Sequence, residues 1–299
     1  MEKISIQIQS VLYHNDPEAI EKAIANVANA ISVYQKKQGP LECEFYYGDA
    51  SREPVFSDDE MSKLKEKYPQ LNDIRCNFFH ENTGTAKGHN RLAKECKMDY
   101  IMVMNPDVLV TPRFFIEMLK PFEDKKVGLT EARQTPIEHP KEYSVHSFQT
   151  SWSTTACVIF PTHVYREVHG FDEASFFMYC DDVDFSWRIR MAGYRLCYRP
   201  NAVVYHAKRL SVSGAWQPTA AERYYSAEAA LMMAYKWSQE DRLKKLLWDF
   251  KRSKDEVFNK AAQEFRNRQK SGRLPEKLDK DHKIATFIDG EYAKHRFVM

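Results

Sequence analysis

The sequence contains no CxxC pair. Its six cysteines, Cys43, Cys76, Cys96, Cys157, Cys180 and Cys197, stand singly, which removes the thiol-redox motif and the paired-cysteine zinc site. Most lie in strand-like or apolar stretches, where a reduced, buried thiol is expected. Long apolar runs are also missing. "YIMVM" and "ACVIF" are far too short to cross a bilayer, and "MEKISIQIQS" lacks the basic start and continuous apolar core of a signal peptide. These absences predict a cytoplasmic protein. Charge of one sign is scarce as well: 44 Lys and Arg against 42 Asp and Glu leave a net +2, which argues against nucleic acid as a partner. No GxGxxG follows the first strand-like stretch and no GxxxxGK[ST] occurs anywhere, so the dinucleotide and P-loop readings lose their main support.

What is present is an ordinary globular composition, 43% hydrophobic and 29% charged over 299 residues. That length holds one large α/β domain, or one domain with an accessory piece. "ISIQIQSVLY" alternates apolar and polar residues like a strand. The next stretch, "HNDPEAIEKAIANVANAISVYQKKQG", reads as a helix with a cap at Asn15 or Asp16, Pro17 in the first turn and Gly39 as its stop. "LECEFYYGD" is a second strand, "SDDEMSKLKEKY" a short helix, and "DIRCNFFH" and "DYIMVMN" flank a helix over about 85–97. "RFFIEMLKPFED" and "VGLTEA" repeat the rhythm. Such alternation predicts a mostly parallel sheet with helices on both faces, and ligands beyond the carboxyl ends of its strands. The loops there carry Tyr13-His14-Asn15-Asp16, "GDAS" and "NPDV". Residues 132–153 lose the rhythm and read as a functional or disordered loop. "TTACVIF", a short helix to Val168, and strands "YRLCYRP" and "AVVYH" follow. Beyond residue 219 the chain turns helical and basic. There Leu243, Leu247, Phe250, Val257, Ala261 and Phe265 lie close to one stripe. The Lys and Arg residues on the other faces suit solvent or an anionic membrane surface, and both readings stay open.

The stretch "FFMYCDDVDFSWRIRMAGY", residues 176–194, crowds Asp181, Asp182 and Asp184 against aromatics. Early carboxylates, Arg188 and Arg190 near the end, and Gly193 as a stop make a helix the better reading than a strand. Asp181 and Asp182 would then cap the helix and Asp184 would pair with Arg188 at i,i+4.

The longer block "GFDEASFFMYCDDVDFSWRIRMAGYRLCYRPNAVVYH" closely resembles the distal block of inverting family 2 glycosyltransferases. "NTGTAKGHNRL" resembles that family's Asn-x-Gly-x-x-x-Gly-x-Asn element. "YIMVMNPDVLV" resembles the strand ending in its metal-binding Asp-x-Asp, in the Asn-Pro-Asp form of rhamnosyltransferase-like members. "GDAS" stands where the family has its Asp-rich nucleotide-binding turn. The likeness covers about residues 4–215 and implies a GT-A-like fold. The implied catalytic domain is 1–218, with a nucleotide-sugar half over about 1–110 and an acceptor half over about 111–218. A basic helical extension over 219–299 completes the chain.

The resemblance also implies roles. Asp182 would be the general base. Asp107 would hold Mg²⁺ or Mn²⁺ against the donor diphosphate, with Asn105 nearby and His206 near the diphosphate or metal, helped by Ser211 or Ser213. Asp49 would bond the nucleotide base in a pocket lined by Tyr13. Gly84 and Asn90 would touch the donor or simply shape a helix start. Arg188 would neutralise phosphate or pair with Asp184. The implied reaction moves L-rhamnose from dTDP-L-rhamnose, or a sugar from a UDP-linked donor, to a saccharide or lipid-linked glycan acceptor in bacterial surface polysaccharide synthesis. The rival readings are a nucleotidyltransferase, which "SVLYHNDPEAI" does not favour because it is neither glycine-rich nor basic, and a non-catalytic glycan-binding or assembly subunit.

Overall fold

A computed structural model describes residues 3–139, 141–207 and 218–288. The first half alternates as the periodicity predicts: β1 (Ile4–Leu12), α1 (Pro17–Gln38), β2 (Leu41–Asp49), α2 (Asp58–Lys67), β3 (Asp73–Phe78), α3 (Gly84–Ala93) and β4 (Tyr100–Met104). Local chemistry explains the boundaries. Asp16 caps α1 by accepting from Glu18 N, with Pro17 in the first turn, and Ser57 and Glu60 form a capping box on α2. The helix expected over about 85–97 is shorter, ending at Ala93.

The second half runs β5 (Val108–Val110), α4 (Phe114–Leu119), β6 (Val127–Thr135), β7 (Gln149–Thr150), β8 (Cys157–Pro161), α5 (Thr162–Glu167), α6 (Asp181–Met191) and β9 (Arg195–His206). "YRLCYRP" and "AVVYH" are therefore one strand. Between Ala132 and Arg133 of β6 the partner on β9 jumps from Arg199 to Val203, so β9 carries extra residues at that point and bends there.

One sheet holds all these strands, in the order β3-β2-β1-β4-β8-β6-β9-β5, with β7 on β9. The β1–β2, β1–β4, β2–β3 and β6–β9 pairs are parallel. β8 lies antiparallel between β4 and β6, and β5 and β7 pair antiparallel with β9. The mostly parallel sheet expected from the alternation is thus parallel in the first half and mixed in the second. Strand direction depends on which strand a segment finds, and periodicity does not encode that. β1, β2, β3, β4, β6 and β9 still point one way, so their carboxyl ends share one edge. Among the described residues no helix is long and apolar enough to cross a membrane.

The C-terminal part forms α7 (Ala220–Lys236), α8 (Glu240–Arg252) and α9 (Glu256–Lys270). The apolar stripe read as continuous from Leu243 to Phe265 is split by Ser253-Lys254-Asp255, where Asp255 caps α9 by accepting from Val257 N. These helices are not a separate appendage. Ala227, Leu231, Met232, Trp237, Leu243 and Phe265 share one core with Trp152, Phe176, Cys180, Val183 and Trp187. The outer face of α8 carries lysines and a half-exposed Trp248, with Arg252 stacked 3.8 Å above its ring.

A buried charge network ties this core together. Asp184 has no exposed surface. It accepts from Arg188 Nε (2.7 Å) and Trp237 Nε1 (3.1 Å) and pairs with Lys236 Nζ (2.7 Å), which also reaches Asp172 (2.7 Å). Burial pushes Asp172 up, but the Lys236 ammonium and bonds from Ser175 outweigh it and hold the carboxyl below its usual range. Removing one member leaves the others charged and buried. Lys236→Met should therefore cost about 3–5 kcal/mol of stability, read as a shifted midpoint in urea unfolding; a change below about 1 kcal/mol would mean the network contributes little.

Candidate active site

The loop before α6 is unusual. Tyr179 and Cys180 both have positive φ, 68° and 58°, a conformation costly for residues other than glycine. Cys180 is the N-cap and its side chain makes no cap hydrogen bond. The turn sets Asp181 and Asp182 in the first helical turn, where the helix dipole favours negative charge. The N-cap position expected at Asp181 or Asp182 thus falls on Cys180, whose side chain does not cap, while Asp182 accepts from the first-turn N–H of Val183. The expected Asp184–Arg188 pair is present.

Thr85, at the start of α3, stitches the two family-like motifs together. Its N–H donates to Phe177 O (3.1 Å) and its hydroxyl to Asp181 Oδ2 (2.9 Å). Gly84 permits this approach: its φ is +64° and a Cβ there would lie 2.2 Å from Phe177 O. Burial first, and the neighbouring Asp182 second, push Asp181 up to about 7, against the Thr85 hydrogen bond. Asp182 is half-buried and one of its oxygens accepts from Val183 N (2.8 Å).

The second cluster lies at the carboxyl ends of β4 and β9. Antiparallel pairing of Val108 with His206 brings Asp107 beside the histidine. Asp107 Oδ1 lies 3.4 Å from His206 Nε2, and Asn105 Nδ2 lies 3.4 Å from the same nitrogen. His206 Nδ1 meets Gln134 Oε1 at 2.7 Å. An exposed carboxylate oxygen and an imidazole nitrogen form a donor set that suits Mg²⁺ or Mn²⁺. Among the described residues no third His, Cys, Asp or Glu joins them, so phosphate oxygens and water would complete the shell. Ser211 and Ser213 lie outside the described residues.

Residues 152–154 join the two clusters. Ser153 N donates to Ser186 Oγ (3.0 Å), and that hydroxyl donates to Asp182 O (2.8 Å). Thr154 Oγ1 accepts from Gln134 Nε2 (2.9 Å), the same amide that holds His206. Nothing in the sequence marks Gln134, in the irregular stretch, or Thr154, at the start of the strand-like "TTACVIF", as a site residue. Thr85 stands inside a motif whose signal lies in its glycines and Asn90.

Asp49, Asn90, Gly84 and Arg188 all have internal roles in the structure, the alternative that the sequence leaves open for the last three. Asp49 is fully buried, and its oxygens accept from Ser51 N (2.9 Å) and Val55 N (2.7 Å), shaping its own turn. All the hydrogen-bonding capacity of the Asn90 amide goes to Tyr165, Phe171 and Glu173, fastening the "GFDE" loop. Gly84 makes room for Phe177. Arg188 turns inward to Asp184 and to the carbonyls of Val168 and Gly170. Tyr13, by contrast, is half exposed beyond β1 and open to a ligand.

Comparison with known proteins places this arrangement. Residues 129–224 match the family described as "Glycosyltransferase like family 2". That segment is glycosyltransferase-like. It contains Gln134, Thr154, Asp181, Asp182 and His206. Over 227 residues the chain is 25% identical to the poly-beta-1,6-N-acetyl-D-glucosamine synthase of Staphylococcus aureus (strain COL), covering 68% of this chain and 50% of that protein. Over 202 residues it is 27% identical to the pre-mycofactocin glycosyltransferase of Mycobacterium tuberculosis (strain CDC 1551 / Oshkosh), covering 61% and 40%. The chain thus spans about half the length or less of these curated relatives.

Among solved structures, GalNAc-T7 with UDP, GalNAc and Mn²⁺ superposes with a TM-score of 0.64 at 9% identity, over 95% of this chain and 57% of that one. The mannosyltransferase PcManGT of Pyrobaculum calidifontis, with GDP-Man and Mn²⁺, gives 0.55 at 15%, over 91% and 82%. The fold is GT-A-like, as the motifs imply.

The raised Asp181 carboxyl gives a pH signature. Between about pH 4 and 7 the unfolded chain has released this proton while the folded protein still holds it. Stability from this group therefore falls as pH rises through that window and is level above it. Asp181→Asn should gain on the natural protein from about pH 4 to 7, then run parallel to it, in urea unfolding at a series of pH values. A gap that is constant with pH would mean Asp181 titrates normally.

Proposed function

We propose that this chain is a metal-assisted, inverting glycosyltransferase that moves a sugar from a nucleoside diphosphate donor to a saccharide acceptor. The observation that carries the reading is the placement of Asp107 and His206 at the sheet's carboxyl edge, linked through residues 152–154 to the helix start that holds Asp182. Asp107 and His206 would hold a divalent cation, which would supply charge neutralisation to the departing diphosphate. Asp182 takes the proton from the attacking acceptor hydroxyl, on the face opposite the leaving group. Asp181, which burial pushes toward neutrality against the Thr85 hydrogen bond, holds a proton and leaves Asp182 as the anion of the pair. Tyr13 offers an aromatic face beside the donor.

The Asn-Pro-Asp form of the metal motif favours dTDP-L-rhamnose. A UDP-N-acetylhexosamine is the second reading, favoured by the likeness to the N-acetylglucosamine polymer synthase and to UDP-bound GalNAc-T7. The acceptor in either case is a growing glycan, in line with the polysaccharide-building relative.

Calorimetry with dTDP-L-rhamnose and UDP-N-acetylglucosamine, each with and without Mn²⁺, should find one donor whose binding strengthens with the metal. Asp107→Ala should bind that donor equally with and without Mn²⁺; a metal response that survives would take Asp107 out of the site. Asp182→Asn should keep donor binding and lose roughly 10²–10⁴-fold in transfer rate. Transfer at the natural rate would leave Asp182 with a structural role only. No binding of any donor would favour the glycan-binding subunit.

A further inference from the structure

Behind His206 runs a line of buried hydrogen bonds with one possible direction. Lys141 Nζ, itself buried, sits 2.9 Å from Glu131 Oε2 and 3.6 Å from the centre of the Trp152 ring. Glu131 Oε1 takes two bonds from Thr154, from its N–H (2.9 Å) and its hydroxyl (2.9 Å). Thr154 Oγ1 accepts from Gln134 Nε2 (2.9 Å), and Gln134 Oε1 meets His206 Nδ1 (2.7 Å). Glu131 has no exposed surface, and Gln134 and Thr154 are nearly as buried. Burial pushes the Glu131 carboxyl up, and the Lys141 ammonium opposes that most strongly.

Each link dictates the next. A carboxylate only accepts, so the Thr154 hydroxyl must point its hydrogen at Glu131. The hydroxyl oxygen is then an acceptor, which obliges Gln134 to present its NH₂ to Thr154 and its carbonyl to His206. A carbonyl beside Nδ1 requires the proton on Nδ1. Reversing the amide would set two acceptors against each other, Thr154 Oγ1 against Glu131 Oε1 or Gln134 Oε1 against Thr154 Oγ1. The register of β6 on β9 pairs Gln134 with Val204, two residues from His206, so both side chains rise on the same face of the sheet.

We propose that Gln134 and Thr154 are positioning residues that lock His206 in the Nδ1–H tautomer, with Glu131 as the origin of the line's direction. The Nε2 lone pair then faces Asp107 Oδ1 at 3.4 Å. Two acceptors so placed repel each other until a cation lies between them, with the Asn105 amide the one donor nearby among the described residues. The line thus prepares a nitrogen ligand before any metal arrives, the role that outer partners of metal-bound histidines commonly play. This inference rests on the metal-site reading for its purpose but not for its test.

The test is ¹⁵N NMR of the histidine-labelled, metal-free protein near pH 8, with His206 assigned by its loss in His206→Gln. The expected spectrum has a protonated δ1 nitrogen and an unprotonated ε2 nitrogen. Thr154→Val keeps the shape and removes the hydroxyl, so the amide is free to turn; it should give a mixed or reversed tautomer, while Thr154→Ser keeps the natural one. Mn²⁺ titrated by electron paramagnetic resonance in the presence of UDP should bind roughly 10–100-fold more weakly to the valine variant. A protonated ε2 nitrogen in the natural protein, or a tautomer unmoved by Thr154→Val, overturns the proposal. The expected tautomer with no Mn²⁺ binding would uphold the line and sink the metal-site reading instead.

Discussion

The fully buried carboxylate of Asp184 is the constraint around which the second half of the molecule is arranged. An unpartnered anion at that depth would cost several kcal/mol. Its partners come from separate parts of the chain: Arg188 one turn along α6, and Lys236 and Trp237 at the end of α7. Lys236 in turn draws in Asp172 from the "GFDE" loop, and Arg188 binds the carbonyls of Val168 and Gly170. The orientation of α6 therefore depends on residues far apart in sequence, and so does the placement of Asp181 and Asp182 at its start. The left-handed turn at Tyr179 and Cys180 is held from both sides, by this network and by the aromatic core around Trp187.

Residues 152–154 are the corresponding joint on the sheet side. Trp152 enters the core shared by α6 and the C-terminal helices, Ser153 binds α6, and Thr154 faces Glu131 and Gln134. Three successive side chains thus set the distance between the proposed base and the Asp107–His206 pair. Hydrogen bonds and packing contribute together, which suits a site that must hold reacting groups to a fraction of an ångström.

Much of this was legible in the residues, and the misses have physical reasons. Alternating "ISIQIQSVLY" and the capped stretch after it gave β1 and α1 because both signals are local. Asp184 with Arg188 was readable as an i,i+4 pair, but Lys236 was not, since 52 positions separate it from Asp184 in the chain. Antiparallel β8 between β4 and β6 escaped because strand direction is settled by a distant partner. Asp49 is assigned to the donor by its motif position alone, whereas for Asn90 and Arg188 the sequence leaves an internal role open as well. Their side chains do support the site, but by bonding to backbone and loops. The break between α8 and α9 was visible in principle, since Ser253 and Asp255 are good helix-starting residues in the middle of the apolar stripe.

The core shared by α6 and the three C-terminal helices also sets an order of events during synthesis. The core that holds Ile6, Ile24 and Phe45 reaches, among the described residues, no further along the chain than Val204 and can take shape while the rest is still emerging. Trp187, Val183 and Phe176 find their neighbours only once residues 227–265 are out. A ribosome-bound chain that stops short of α9 has the first core but not the finished second one around Trp187. The turn that sets Asp181 and Asp182 is therefore finished late, after the C-terminal helices have docked.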